Sequence, residues 1–113
     1  MTAAPMTPEG LGQLGIEPRV VDGQAVLRLS GELDMDSAEQ FADAARRVHA
    51  EAIPCLVLDL SALDFVDSTG LSQFVLAFKR QQEIGGEVVL QGASGPVKRV
   101  LDIVGMDRIF RIT

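Results

Sequence analysis

One cysteine and one histidine are all that the 113-residue sequence offers for thiol or imidazole chemistry. Cys55 therefore has no disulfide partner within the chain, and inside the apolar run Ile53 to Leu60 its thiol reads as a small hydrophobe. Cys55 and His49 fall short of a four-ligand zinc site, so no metal is expected, and a histidine-based catalytic constellation would have to be built around His49 alone. No stretch approaches the roughly 18 apolar residues of a membrane span. The first fifteen residues lack the basic start and apolar centre of a secretory signal, so a cytoplasmic location is expected. Cationic residues cluster only as short pairs such as Arg46-Arg47 and Lys79-Arg80, on otherwise amphipathic segments. Sixteen acidic against ten basic residues give a net charge of −6, which repels phosphate backbones and anionic lipid, so neither nucleic acid nor membrane is an expected partner.

What is present is the material of one folded domain: 47% hydrophobic and 23% charged residues, in a chain long enough for a single core. Residues 1–15 carry Pro5, Pro8, Gly10, Gly12 and Gly15, too many breakers for a helix or strand, and read as a flexible tail ahead of a domain over 16–113. Ile16 to Val21 and Ala25 to Gly31 are strand-like and flank Asp22-Gly23, a dipeptide suited to a tight hairpin turn. A first helix is expected from Ser37, its hydroxyl forming a capping box with Gln40, with Phe41, Ala42, Ala45, Val48 and Ala52 as its core stripe. Pro54 ends it and launches Cys55 to Leu60, an apolar run expected to be the central strand, covered on both faces. A second helix follows from about Ser68 to Glu83, with Leu71, Phe74, Val75 and Phe78 inward and Gly85-Gly86 as a left-handed cap. Glu87 to Gln91 is another strand. Ser94 caps a third helix with the stripe Val97, Val100, Leu101 and Val104, ended by Gly105, and Ile109 to Ile112 is the last strand. The order implies an α/β fold: a mixed β-sheet with helical crossovers, opened by an antiparallel hairpin.

Two polar segments fit a purely structural reading poorly: Ser30-Gly31-Glu32-Leu33-Asp34 and Asp67-Ser68-Thr69-Gly70-Leu71. Both lie where strand or loop gives way to helix, junctions that a parallel layered fold gathers at one end of its sheet. The second places two hydroxyls and a carboxylate at a helix start, and Gly70 leaves little bulk there for an approaching protein. A hydroxyl in that position is suited to carry a phosphate, because free amides and the positive helix end favour the added charge. On capping preferences alone Asp67 and Ser68 are an N-cap pair and Asp34 caps a turn, roles compatible with a surface site.

These residues resemble a known family. Ser30-Gly31-Glu32-Leu33-Asp34 with Ser37-Ala38, then Leu58-Asp59-Leu60, Phe65-Val66-Asp67-Ser68-Thr69-Gly70-Leu71, Gly85-Gly86-Glu87 and Val97-Lys98-Arg99-Val100-Leu101 look like the bacterial anti-sigma-factor antagonists, which are single STAS domains. Each motif alone is weak; five in order and spacing are specific, and they run from about Ile16 to the end of the chain. The resemblance implies a partner that is both an anti-sigma factor and an ATP-dependent serine kinase. The unphosphorylated antagonist binds it and frees the sigma factor in a stress response, and phosphorylation of Ser68 inactivates the antagonist until a phosphatase resets it. It implies a partner surface of Asp34, Asp67, Thr69, Gly70 and Ser72, with Thr69 a second candidate acceptor ranking below Ser68. Ser72 departs from the family, which often has glycine there. The chain has no G-x-x-x-x-G-K-S/T phosphate loop, so no cofactor is expected in it and the ATP belongs to the partner.

Two other classes compete. Asp67, Ser68 and His49 are the residue types of a nucleophilic triad, but no G-x-S-x-G elbow surrounds Ser68, and His49 belongs near the wrong end of its helix, so no enzyme is expected. A STAS docking subunit of a scaffold or transport assembly would use the same fold without a sigma factor. The intact Asp67-Ser68-Thr69-Gly70 segment favours the kinase-controlled switch.

Overall fold

Asp22 and Gly23 take φ angles of 50° and 78°, the consecutive positive values that a two-residue hairpin turn requires. They join β1 (Leu14–Val21) to β2 (Gln24–Leu33) in antiparallel register, in a computed structural model that describes residues 13–113. The chain continues through α1 (Ala38–Ala50), β3 (Cys55–Val66), α2 (Ser68–Glu83), β4 (Glu87–Gln91), α3 (Gly95–Ile103), a 3₁₀ turn at Met106–Arg108 and β5 (Arg111–Ile112). The sheet order is β1-β2-β3-β4-β5, with every pair after the hairpin parallel. This is the mixed sheet with helical crossovers expected from the sequence, and β3 is its central strand.

Sequential order decides where the helices go. Each crossover steps to the next strand in the same direction, and right-handed connections of that kind all fall on one face. Accordingly Phe41, Ala45, Phe74, Ala77, Val97 and Leu101 share one core with Leu27, Leu29, Leu56, Leu58 and Leu90. On the opposite face the buried apolar cluster, among the described residues, is Val26, Val57 and Val89 with Cys55 beside them. Coverage of β3 on both faces is therefore corrected: its apolar run has helices on one side, and on the other a valine row bordered by ion pairs such as Arg28–Glu17 and Arg111–Glu87.

Most other departures from the sequence reading occur at element ends. Strand β1 starts at Leu14, which is buried, so 14 and 15 belong to the sheet; the rest of the expected tail, 1–12, lies outside the described residues. Helix α1 stops at Ala50, and Ala52, expected in its core stripe, is exposed with φ 56°, a left-handed residue that has already left the helix. Ser37 and Gln40 make no capping box. Gln40 Nε2 instead donates to Leu14 O at 3.0 Å, a partner 26 residues away. Ser94 stands at the N-cap of α3 without a capping side-chain bond, and Val104 is exposed. The last strand shrinks to Arg111–Ile112 because the amides of Ile109 and Phe110 still donate back to Met106 O, at 3.0 and 2.9 Å, as the chain leaves the 3₁₀ turn.

Strand β3 differs most from expectation, running on past Leu60 to Val66. Between Arg28↔Asp59 and Ser30↔Ala62, and again between Gly31↔Leu63 and Glu32↔Phe65, β3 carries one residue more than β2. Each bulge turns the strand, so its core-facing residues are Leu56, Leu58 and Leu60, then Leu63 and Val66. Past the bulges β3 runs on to Val66, two residues before the start of α2 at the carboxyl edge of the sheet.

Candidate functional site

The parallel strands β2 and β3 end together, with Leu33 opposite Val66. The next residue of each strand, Asp34 and Asp67, therefore leaves the sheet beside the other, and Asp67 N donates to Leu33 O at 3.2 Å to lock the two exits. The two polar segments singled out in the sequence are thus brought to one place.

Asp34 organises the first exit. Its Oδ1 accepts from Asp36 N at 3.0 Å, Ser37 N at 3.1 Å and Ser37 Oγ at 3.1 Å. Ser37 Oγ also donates to Glu32 O at 3.0 Å, so this hydroxyl closes the loop rather than capping helical amides. Asp67 organises the second exit: it is the N-cap of α2, and its Oδ1 accepts from Gly70 N at 2.9 Å.

Ser68 is the first residue of α2 and is exposed, and among the described residues its hydroxyl has no hydrogen-bond partner. The amides of Ser68 and Thr69 lie in the first turn, where a helix has no internal acceptors to offer them. Thr69 is half-buried. Ser72, one turn on, is exposed, and its Oγ donates to Ser68 O at 3.0 Å. Gly70 has a different role from the one expected of it. It is buried, and a Cβ there would lie 2.7 Å from Val66 Cγ2, 2.8 Å from Leu33 Cγ and 3.0 Å from Leu33 O. The missing side chain lets α2 seat on the strand ends; it does not clear space for an incoming molecule.

His49 is not brought to the serine. Its Nε2 lies 3.1 Å from Glu83 Oε1, joining the last turns of α1 and α2, while Ser68 opens the 16-residue α2 about 24 Å away along the helix axis. Cys55 begins β3, where burial first and the charge of Glu87 second push its thiol pKa up, which disfavours the thiolate. Among the described residues no group of His, Cys, Asp and Glu is placed to hold a metal ion, and no helix is long and apolar enough to cross a membrane. Two large side chains given no role by the sequence, Met35 and Phe65, stand exposed on the two strand exits. The signal available was a methionine inside the polar turn Asp34–Ser37 and a phenylalanine out of step with the alternation of β3.

The family model for the STAS domain matches residues 15–113. The chain is 36% identical over 103 residues to the anti-sigma F factor antagonist of Paenibacillus polymyxa, covering 88% of this chain and 86% of that one. A crystal structure of an anti-sigma factor antagonist from Mycobacterium paratuberculosis superposes with a TM-score of 0.82 at 30% identity, covering 91% of this chain and 87% of that one. The anti-sigma factor antagonist SpoIIAA shares the fold in its unphosphorylated form, with a TM-score of 0.77 at 22% identity over 88% of each chain. In its phosphorylated form the TM-score is 0.67 at 21% identity, over 88% of this chain and 90% of that one. Fold, strand-exit geometry and these likenesses agree: the chain belongs to the STAS-domain family, alongside relatives that are anti-sigma factor antagonists.

Proposed function

We propose that this chain is an anti-sigma-factor antagonist working in the cytoplasm. Unphosphorylated, it binds an anti-sigma factor that is also a serine kinase and so releases the sigma factor; phosphorylation of Ser68 by that kinase ends the binding, and a phosphatase restores it. The observation that carries the reading is the Ser68 hydroxyl, exposed and unpartnered at the first position of α2. Uncommitted first-turn amides and the positive helix end can accept the added charge there. Asp34, Asp67, Thr69 and Ser72 surround it as the contact surface, with Gly70 holding them in register from below. Incubation with the cognate kinase and ATP should add one phosphate, mapped by peptide mass spectrometry to Ser68. A phosphate found only on Thr69 or outside the segment 67–70 would sink the assignment.

Asp34 is expected to serve both fold and partner, and two variants separate these roles. Asp34→Ala loses three accepted hydrogen bonds at the entry to α1 and should cost ~1 kcal/mol while keeping a cooperative melt. Asp34→Asn keeps an acceptor oxygen in place and should melt close to wild type. Both should weaken partner binding, because both remove the charge. Binding within about twofold of wild type for both variants would take Asp34 out of the contact surface.

A further inference from the structure

Of the five phenylalanines, Phe65 alone is exposed, at 44%, and Met35 is exposed at 74%. Both belong to the strand exits that hold Ser68. Phe65 lies opposite Glu32 in the ladder, three residues before the serine, while its neighbour Val66 turns into the core. Met35 occupies the tip of a turn closed by Ser37 N donating to Asp34 O at 3.2 Å and braced by the Asp34 carboxylate. An apolar side chain held out on a fixed turn loses little freedom on being buried, and methionine and aromatic residues are enriched at the desolvated centres of interfaces.

The charge around this pair has one sign. Glu32, Asp34, Asp36, Asp64 and Asp67 lie on the same two exits, and among the described residues none of them forms an ion pair. No lysine or arginine occurs between residues 31 and 45 or between 60 and 78. We infer that Met35 and Phe65 are the apolar anchors through which this face docks its partner, a protein surface offering apolar sockets within a basic rim. The anchors and the neutral Ser68 hydroxyl form the centre, and the carboxylates form the rim. This inference rests on the function proposed above.

The test uses the purified kinase that phosphorylates Ser68, titrated calorimetrically with wild type, Met35→Ala, Phe65→Ala, the double variant and Ile103→Ala, a control that is 76% exposed at the end of α3. Each anchor variant should weaken binding about tenfold or more, the control by less than about twofold, with thermal melts unchanged throughout. Raising salt from low to high should slow association of wild type and anchor variants alike. If wild type binds and the anchor variants bind as well as it does, or association ignores salt, this inference fails while the proposed function stands. If wild type does not bind at all, the proposed function falls and this inference with it. Concentration-dependent self-association of the chain alone, abolished by Phe65→Ala, would overturn the inference in favour of a second copy as the occupant.

Discussion

Ser68→Glu should lose two to three orders of magnitude in affinity for the anti-sigma partner while melting within about 5 °C of wild type. The two halves of this expectation come from the same geometry. In the free protein a carboxylate at the first position of α2 faces water, the uncommitted amides of Ser68 and Thr69 and the positive helix end, an effect worth ~0.3–1 kcal/mol in its favour, against repulsion from Asp67 beside it. In the proposed complex the same charge would be pressed against a surface shaped for a hydroxyl, and an incompletely compensated buried charge would cost ~3–4 kcal/mol. Ser68→Ala, by contrast, should bind and resist inactivation by the kinase. Titration calorimetry and a thermal melt on the same samples decide the matter. Weak binding by Ser68→Glu together with a collapsed melting transition would mean that the switch works by unfolding and not by charge at the interface.

Phe74→Ala should do the reverse. The Phe74 ring is fully buried and meets the Phe41 ring edge to face, with centroids 5.5 Å apart, where α2 and α1 pack over the sheet. Truncation leaves a cavity in the centre of the core and should remove ~3–5 kcal/mol. That is a large share of a domain stability that is typically ~5–15 kcal/mol. Urea unfolding followed by circular dichroism should show a lower midpoint at an unchanged slope. Partner affinity, measured where the variant is still folded, should stay within about twofold, because Phe74 faces away from the surface that carries Ser68. A loss below about 1 kcal/mol would show that the helical layer collapses around the gap and that the aromatic pair does not hold it.

The parts of this structure that follow from short-range rules were readable in the sequence. Asp22-Gly23 specifies its turn through backbone angles that few other dipeptides adopt, and the bounds of α2 follow from the N-cap at Asp67 and the left-handed Gly85. What escaped depended on distant partners. Ser37 and Gln40 have the spacing of a capping box, yet Gln40 is claimed by Leu14 O across the fold and Ser37 by Glu32 and Asp34. The far half of β3 was unreadable for a geometric reason: its two bulges change the spacing of buried residues from two to three, so Leu60, Leu63 and Val66 match no strand period. The site shows the same division. That Asp34, Asp67 and Ser68 would lie together was readable because parallel topology brings strand exits to one edge. The reason for glycine at position 70 was not readable, because it lies in Val66 and Leu33 filling the space a side chain would take.

The bulged strand has a mechanical consequence. Pairing of β3 with β4 ends at Asp59↔Gln91, whereas pairing with β2 continues to Leu33↔Val66. Beyond Asp59, β3 therefore has a strand neighbour on its β2 side only, and Ser68 follows the last two pairs, Glu32↔Phe65 and Leu33↔Val66, which also reach past the end of β1 pairing at Gly31. Amides in a stretch paired on one side only should exchange faster than those of the doubly paired half, Cys55 to Asp59, behind it. A protein closing over the tip would stiffen this stretch, and docking would be recorded as slowed exchange along 61–63, behind the residues it touches.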